Sequence, residues 1–344
     1  MKAVTWRGRR KTEVVTVPDP RIVDPTDAVI QVTTTGLCGS DLHLYEVLGP
    51  FLDAGDILGH EPMGVVAEVG HEARELKAGD RVVVPFNVSC GTCFMCRRGL
   101  HSQCETTQVH EHGSGASLFG YTKLYGQVPG GQAEYLRVPF ADTLPIRVPE
   151  GPPDERFVYL SDVLPTAWQA VVYADVPRGG SVAVLGLGPI GDMCTRVAAH
   201  RGAGQVIGID LVPERLARLP DALASALMKE AGVDKLGALK LAIELVRRGG
   251  TISLSGVYGG AADPLPLLTM FDKQIQLRMG QANVHRWVDD LLPLLTDGDP
   301  VGVEGFATHH LPLDEAPRAY ADFQKKRDNM VKVLFHPDTR AAAA

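Results

Sequence analysis

Four of the six cysteines lie in one short segment, and this grouping limits what the 344-residue chain can fold into more than any other feature. Cys90, Cys93, Cys96 and Cys104 follow a C-x2-C-x2-C-x7-C spacing. Four thiolates at such spacings surround one Zn²⁺ ion as a closed tetrahedron. The binding energy of a structural ion orders a loop that has little hydrophobic core of its own. We therefore predict a structural zinc lobe at residues 88–106.

An iron–sulfur cluster is the alternative for these cysteines. The bacterial ferredoxin run is C-x2-C-x2-C-x3-C followed by proline. Here the last gap is longer, and Glu105 follows the fourth cysteine. The spacing therefore favours zinc, and it also disfavours four unligated cysteines in a flexible loop. Thiolates that are kept free for metal indicate a reducing, cytoplasmic location.

Composition and length exclude several classes of function. A chain of this length predicts about two domains. The net charge of −7 comes from acids and bases mixed along the chain, and no basic stripe indicates a nucleic-acid partner. No uncharged apolar run approaches the ~20 residues that cross a bilayer. The basic stretch Met1–Lys11 lacks the apolar segment of a signal peptide, so we expect no membrane partner.

The first half of the chain is rich in β-branched residues and turn formers. Short runs of this kind, separated by Gly, Pro and Asp, predict strands. The candidate strands are Ala28–Thr34, Gly64–Val69, Arg81–Val84 and Gln132–Val138. No long helical pattern interrupts them, so a compact, mostly-β domain with long loops is expected.

After Pro165 the pattern changes to alternating strands and helices. The helical patterns cover Pro213–Leu219 and Asp221–Arg248. The strand-like segments are Ser181–Leu185, Gln205–Asp210, Thr251–Ser255 and Gln274–Met279. Alternation of this kind predicts an α/β fold with a doubly wound parallel sheet. Residues after about Val284 are expected to return to the first domain.

A glycine-rich turn follows the strand at Ser181. Gly186, Gly188 and Gly191 form a G-x-G-x-x-G motif between that strand and a helix that begins with Pro189 and Ile190. Such a turn lets the backbone approach a pyrophosphate, and the helix N-terminus donates N–H groups to it. A structural strand-to-helix turn is the alternative, but the flanking elements favour dinucleotide binding.

The end of the next strand indicates which dinucleotide is bound. Asp210 follows Gly191 by 19 positions, where an acid accepts the ribose 2′-OH and repels a 2′-phosphate. The sequence therefore predicts NAD rather than NADP. Arg215 lies nearby in the sequence and weakens that preference. We expect cofactor contacts from the whole turn and from Arg215 and Val257.

A second group of residues suits a metal site with an open position. Catalytic zinc takes about three protein ligands and leaves one place free. Cys38 and His60 are the natural first two, and the third is either Asp162 or Glu61. A thiolate and a carboxylate would balance the two charges of the ion. Taken alone, a cysteine in the core, a hydrogen-bonded histidine and an aspartate that caps a helix are ordinary structural features, and the combination favours a metal. Asp41 and Glu61 are candidates to orient the ligands.

The motifs together resemble the zinc-containing medium-chain alcohol dehydrogenase family. The resemblance covers most of the chain and is carried by these segments: Gly36–His43, Gly59–Glu61, Gly79–Val82, the four-cysteine lobe, Gly130–Tyr135 and the turn at Gly186. Ser161–Thr166 and the long loop between Cys104 and Gly130 are similar to the glutathione-independent formaldehyde dehydrogenase branch. In that branch an aspartate replaces the family's usual third cysteine ligand, which favours Asp162 over Glu61.

This resemblance implies a fold and a set of roles. It implies a GroES-like catalytic domain at 1–164 and 286–344, a Rossmann coenzyme domain at 165–285, and an active cleft between them. Ser40 is expected to accept the proton of the substrate hydroxyl, and His43 to pass it toward solvent. Thr166 is expected beside the nicotinamide. Cys194 matches no family ligand and is interpreted as a core residue.

The coenzyme domain departs from the family pattern. A full Rossmann sheet has six strands, but the stretch between Asp210 and Thr251 shows helical sequence and no convincing strand. About two βα units are therefore expected to be absent. One interpretation is a zinc-binding relic with impaired cofactor binding, and another is a smaller sheet that still binds NAD. The third interpretation is that a segment has been lost from the sequence.

The sequence thus predicts a zinc-dependent oxidoreductase. The expected reaction is hydride transfer from a primary alcohol or a hydrated, formaldehyde-like aldehyde to NAD, with two Zn²⁺ ions per chain. A zinc-free quinone reductase of the same architecture is disfavoured, because it would not need both cysteine-containing sites. The family resemblance also implies a homo-oligomer, either a dimer or a tetramer, in which the strand Gln274–Met279 pairs between subunits.

Overall fold

The computed structural model describes residues 1–219, 224–227, 236–256 and 265–337, with residues 224–227 described by their backbone alone. It divides the chain into two compact units. The first unit comprises Met1–Pro165 and Asn283–Ala344, and the second comprises Thr166–Ala282. The first unit therefore joins the N-terminal part of the chain to its C-terminal part.

The β-strands are short except for one in the first unit. In chain order they are β1 Lys2–Gly8, β2 Lys11–Thr16, β3 Ala28–Leu37, β4 Pro62–Val69, β5 Arg81–Val83, β6 Tyr135–Val138, β7 Ile146–Arg147, β8 Ser181–Leu185, β9 Gln205–Asp210, β10 Ala224–Leu227, β11 Thr251–Leu254, β12 Gln276–Met279, β13 His309–Pro312 and β14 Val333–His336.

The helices are short or of moderate length. They are α1 Asp41–Glu46, α2 Phe94–Arg97, α3 Asp154–Phe157, α4 Val163–Ala174, α5 Pro189–His200, α6 Pro213–Leu216, α7 Gly237–Leu245, α8 Leu267–Asp272, α9 Val288–Thr296 and α10 Ala316–Gln324. Within the described ranges, none of them has both the length and the apolar character that a bilayer span requires.

Strand β3 is the centre of the first unit. Its ten residues are mostly β-branched, which suits a buried strand. It pairs antiparallel with β4, β6 and β14 in a seven-stranded sheet of order β13-β14-β3-β4-β5-β7, with β6 on β3. Strands β1 and β2 form a separate antiparallel pair. The prediction of a mostly-β first domain is confirmed.

Two hydrophobic clusters surround this sheet. In one, Ile30, Val66 and Leu136 from neighbouring strands are at most 2% exposed. In the other, Tyr320 and Phe323 of α10 pack with residues from β14 and from α1. Burial of each large apolar side chain stabilises the fold by about 1.5–3 kcal/mol. The strand ends near these clusters are therefore held in fixed positions.

The second unit contains parallel strands, as predicted. One sheet has the order β10-β9-β8, and β11 pairs with β12 in another. Helix α5 follows β8 and packs on the first sheet. The described strands thus form two separate sheets, whereas one sheet was predicted.

The prediction that no strand lies between Asp210 and Thr251 is wrong. Ala224–Leu227 forms β10, which pairs in parallel register with Ile207–Asp210 of β9. An Ala-Ser-Ala-Leu run has little intrinsic preference for a strand, so pairing along β9 overrides the local preference. The described residues of the second unit contain five strands, one fewer than a full Rossmann sheet.

A buried ion pair crosses the core of the first unit. Lys332 lies just before β14, Glu61 lies just before β4, and both side chains are 0% exposed. Lys332 Nζ donates to Glu61 Oε2 and also, at 3.2 Å, to the carbonyl of Leu37. Burial lowers the pKa of Lys332, but the Glu61 carboxylate outweighs this and raises its pKa above the ordinary value, so the amine stays charged.

Removing one partner of this pair is expected to destabilise the first unit. In Lys332→Met the Glu61 carboxylate is buried without its counter-ion, and loss of one partner of a buried pair costs about 3–5 kcal/mol. Urea unfolding of the zinc-loaded protein measures this as a lower free energy of unfolding. The double variant Glu61→Gln/Lys332→Met removes both charges and is the control, which is expected to recover most of the loss. A single variant as stable as the wild type would contradict this role.

Candidate functional site

Three buried side chains from separate parts of the first unit converge at one point. Cys38 directly follows β3, His60 lies two residues before β4, and Asp162 lies just before α4. Asp162 Oδ2 is 3.4 Å from Cys38 Sγ and 3.5 Å from His60 Nε2. All three residues are less than 10% exposed. The structure therefore brings together the residues that the sequence nominated for the open metal site.

The spacing of these atoms suits a tetrahedral zinc ion. Zinc–ligand bonds of about 2.0–2.3 Å place neighbouring ligand atoms about 3.3–3.8 Å apart, which matches the distances around Asp162 Oδ2. The electrostatics around Cys38 also indicate a cation site. Burial first, and then the carboxylates of Asp162 and Glu61, raise the pKa of Cys38 to about 11. A bound cation reverses this effect, because a coordinating thiol is deprotonated outright.

The far side of the His60 ring faces a buried carboxylate. Asp41 Oδ1 lies 3.2 Å from His60 Nδ1, so Nε2 is turned toward Cys38 and Asp162. Asp41 Oδ2 accepts hydrogen bonds from the Cys38 N–H at 3.0 Å and from Gln132 Nε2 at 3.3 Å. A carboxylate in this position fixes the ring orientation of a metal-binding histidine. Asp41 thus positions two ligands at once.

Glu61 belongs to the same cluster but faces a different partner. Its ligand atom lies within 4.8 Å of those of Cys38, His60 and Asp162. Its Oε2 is held by Lys332, whereas Asp162 Oδ2 points between Cys38 and His60. The geometry therefore fits Asp162 as the third ligand better than Glu61.

Ser40 and His43 lie beside the cluster at the start of α1. Ser40 Oγ is 3.2 Å from His60 Nε2, which places the hydroxyl next to the cluster. His43 donates its backbone N–H to the Ser40 carbonyl at 3.0 Å. Burial lowers the pKa of His43, although Asp41 partly opposes this. The ring is therefore neutral at neutral pH and is able to accept a proton.

The four-cysteine lobe brings four sulfur atoms together. The sulfurs of Cys90, Cys93, Cys96 and Cys104 all lie within 4.8 Å of one another, and those of Cys93 and Cys104 are 3.9 Å apart. A zinc ion with bonds of about 2.3 Å separates its sulfurs by about 3.8 Å. Because four sulfurs fill the tetrahedron, such a site holds structure and does not bind substrate.

Hydrogen bonds prepare this lobe for thiolates. Thr106 Oγ1 lies 3.1 Å from Cys90 Sγ, and the N–H of Cys93 points at the same sulfur from 3.4 Å. Burial raises the pKa of Cys90, but the bonds from Thr106, Thr92 and Cys93 outweigh it and lower the pKa to about 6. These hydrogen bonds favour the charged form of Cys90, whereas burial raises the pKa of Cys96 above its ordinary value.

In the second unit the glycine-rich turn lies between β8 and α5, as predicted. Gly186 has a φ of +87°, which L-residues with a side chain rarely adopt. A Cβ on Gly191 would lie 1.8 Å from the Gly186 carbonyl oxygen. Gly188 is the N-cap of α5, and Pro189 and Ile190 begin the helix. The first turn of α5 therefore presents free backbone N–H groups, which suits an anionic ligand.

Asp210 ends β9 and is tied to that turn. Its Oδ2 accepts the N–H of Leu187, and its Oδ1 accepts the N–H groups of Leu211 and Val212 at 2.7 and 2.9 Å. Arg215 Nη1 lies 3.6 Å from Asp210 Oδ2. A Cβ on Gly188 would lie 3.9 Å from the same Arg215 nitrogen. An acid and a base thus both border the turn.

The other residues that the sequence analysis singled out lie outside the clusters described above. Thr166 lies one turn into α4, and Val257 lies outside the described residues. Cys194 is buried in α5, and burial raises the pKa of its thiol to about 12, which fits a core residue.

Sequence reasoning missed two supporting residues. Lys332 interrupts the apolar run Met330–Phe335, and a lysine in such a run is a signal of a buried partner. Gln132 joins the Asp41 carboxylate to Tyr320, whose hydroxyl donates to Gln132 Oε1 at 2.7 Å. No sequence pattern pairs Gln132 with Asp41, because they lie 91 residues apart.

Comparison with known proteins identifies the family. Residues 24–149 match the family described as the alcohol dehydrogenase GroES-like domain. The zinc-type alcohol dehydrogenase-like protein AdhB of Bacillus subtilis is 37% identical over 98% of this chain and 100% of its own length. The formaldehyde dismutase of Pseudomonas putida is 32% identical over 94% of this chain and 95% of its own length.

Solved structures agree with these relatives. The alcohol dehydrogenase TADH from Thermus sp. ATN1 superposes with a TM-score of 0.88 at 36% identity, covering 98% of this chain and 99% of that one. The predicted α/β fold class, with its GroES-like and Rossmann parts, is therefore confirmed. This chain belongs to the zinc-containing medium-chain alcohol dehydrogenase family of oxidoreductases.

Proposed function

We propose that this protein is a zinc-dependent dehydrogenase that transfers a hydride from a primary alcohol or a hydrated, formaldehyde-like aldehyde to NAD. The convergence of Cys38, His60 and Asp162 carries the proposal, because these buried groups match the ligand set of an open zinc site. The four-cysteine lobe supports a second ion, which is structural. The glycine-rich turn supports the dinucleotide.

Each group at the open site has a distinct task. Cys38, His60 and Asp162 would hold the ion, with thiolate and carboxylate balancing its two charges. When bound there, zinc supplies Lewis-acid polarisation of the substrate oxygen. Asp41 keeps His60 Nε2 turned toward the site, and Lys332 pairs with Oε2 of Glu61. These polar side chains thus all act on one metal site in the proposal.

The substrate proton leaves through neighbouring side chains in this proposal. Ser40 Oγ, next to His60 Nε2, would accept the proton of the substrate hydroxyl. His43 lies in α1, which Ser40 precedes, and would pass the proton toward solvent, since its ring is neutral at neutral pH. Positioned proton acceptors of this kind typically accelerate a reaction by about 10²–10⁴-fold.

The second unit would hold the cofactor. The turn Gly186–Gly191 and the N-terminus of α5 suit the pyrophosphate, and Thr166 would lie beside the nicotinamide. Asp210 suits the ribose hydroxyls and opposes a 2′-phosphate, which favours NAD. Arg215 approaches both Asp210 and the turn, where it would contact the pyrophosphate.

The substrate class rests on relatives. Formaldehyde dismutase of Pseudomonas putida and the glutathione-independent formaldehyde dehydrogenase of Pseudomonas aeruginosa are 32% and 37% identical to this chain over the parts that align. This chain has an aspartate at 162, as expected for that branch. Both facts support a small alcohol or aldehyde hydrate as the substrate.

A zinc-binding relic with impaired cofactor binding is the second candidate. The observation that favours it is the division of the described strands of the second unit into two sheets. Such a protein would keep both metal sites and lose turnover. NADH binding separates the two candidates.

Loss of a ligand at the open site is expected to abolish turnover. Cys38→Ala removes one of three zinc ligands, so formation of NADH from formaldehyde or ethanol should fall to background, while about one structural zinc ion per chain remains. Steady-state assays and metal analysis by mass spectrometry measure both effects. Cys194→Ala, which removes a buried thiol elsewhere, is the matched control and should keep activity. Normal turnover by Cys38→Ala would refute the assignment.

The two carboxylates are expected to differ in metal content. Asp162→Ala should lower the content from about two zinc ions per chain to about one. Glu61→Gln should retain about two, because its partner is Lys332. Metal analysis of both variants after dialysis decides the third ligand. A loss of zinc in Glu61→Gln alone would assign that role to Glu61.

NADH is expected to bind through the glycine turn. Titration of the purified protein should quench tryptophan fluorescence with a micromolar dissociation constant. Gly191→Ala should abolish the quenching, because the new methyl would meet the Gly186 carbonyl. Cys194→Ala lies on the same helix, away from the turn, and should bind as the wild type does. If the wild type itself binds no NADH, the relic is the better description.

A further inference from the structure

A third cluster of metal-binding side chains lies in the first unit, apart from both zinc sites. Glu155 is in α3, His310 is in β13 and His336 ends β14. His310 Nδ1 is 3.0 Å from Glu155 Oε1, and His336 Nε2 is 3.2 Å from the same oxygen. All three ligand atoms lie within 4.8 Å of one another. Two imidazoles and one carboxylate thus face a common point.

The backbone fixes this arrangement. Strands β13 and β14 are parallel neighbours, and His336 pairs with Pro312, two residues after His310. The two imidazole rings are stacked, with centroids 5.8 Å apart and planes 8° apart. The strand register and the ring stacking therefore hold both imidazoles beside Glu155, and metal-binding histidines are likewise held in a fixed orientation.

One carboxylate oxygen lies at the centre of this cluster. Both imidazoles approach the single oxygen Glu155 Oε1. A cation at the common point would satisfy both nitrogens and the carboxylate together.

The exposure of the cluster shows what kind of site it is. The side chains of Glu155, His310 and His336 are 42%, 45% and 17% exposed. Solvent therefore reaches the cluster and can supply the remaining ligands. Imidazole and carboxylate ligands suit Zn²⁺, Ni²⁺ and Cu²⁺. Of these three ions, Cu²⁺ binds such sites with the highest affinity.

We propose that Glu155, His310 and His336 form a third metal site, which binds one exchangeable divalent transition-metal ion with water completing its coordination. The ion would join α3 to the two parallel strands at the edge of the seven-stranded sheet. Binding to the folded state alone stabilises a protein by mass action, so the site would stabilise the first unit. The proposal does not depend on the dehydrogenase reaction.

Titration with Ni²⁺ tests the site. Tag-free protein with both zinc sites filled is titrated with NiCl2 in a calorimeter, and zinc is measured before and after to show that none is displaced. The wild type should bind one Ni²⁺ per chain. His310→Ala and Glu155→Gln should weaken that binding at least about tenfold, since even outer-shell changes at metal sites cost 10–100-fold.

A neighbouring histidine supplies the control. His309→Ala changes the next residue of β13, whose ring faces Asp328 and not Glu155, and it should bind Ni²⁺ as the wild type does. Glu155→Gln keeps the shape of the side chain and guards against misfolding. Equal Ni²⁺ binding by the wild type and His310→Ala, or no binding by the wild type, would show a hydrogen-bonded cluster only and would overturn the proposal.

Discussion

The first unit depends on the convergence of negative ligands in a buried space. The Cys38 thiol and the Asp162 carboxylate lie 3.4 Å apart at less than 10% exposure, and two such anions repel each other strongly where water is excluded. Only a cation makes their charged forms compatible. The surrounding polar groups follow from this constraint, since Asp41 turns His60 toward the same point and Lys332 neutralises Glu61.

The fold supplies the rigidity that such a cluster needs. Cys38 directly follows the central strand β3, and His60 and Glu61 directly precede β4, which pairs with β3 over most of its length. The cluster is therefore attached to paired strands, while the loop with four cysteines would be ordered by the ion that its sulfurs are placed to hold. In the proposed function the unit divides two tasks between its two clusters, because four sulfurs would close one around a structural ion and three ligands would leave a position open at the other.

The features that could be predicted from the sequence are those whose residues stand close together along the chain. The four cysteines, the glycine turn and the residues Cys38 and His60 stand in short motifs whose chemistry is readable without a fold. Strand β10 was missed because its Ala-Ser-Ala-Leu run becomes a strand only through pairing with β9. The partners Lys332 of Glu61 and Gln132 of Asp41 lie 271 and 91 residues away. Such pairs depend on which strands become neighbours, and no local pattern records that.

Anomalous diffraction at the zinc absorption edge tests the central claim most directly. Crystals of the protein grown with zinc are expected to show one strong peak among Cys90, Cys93, Cys96 and Cys104, and a second bonded to Cys38, His60 and Asp162 with one position open to solvent. A map with no peak between Cys38 and His60, or with Glu61 bonded in place of Asp162, would contradict the account.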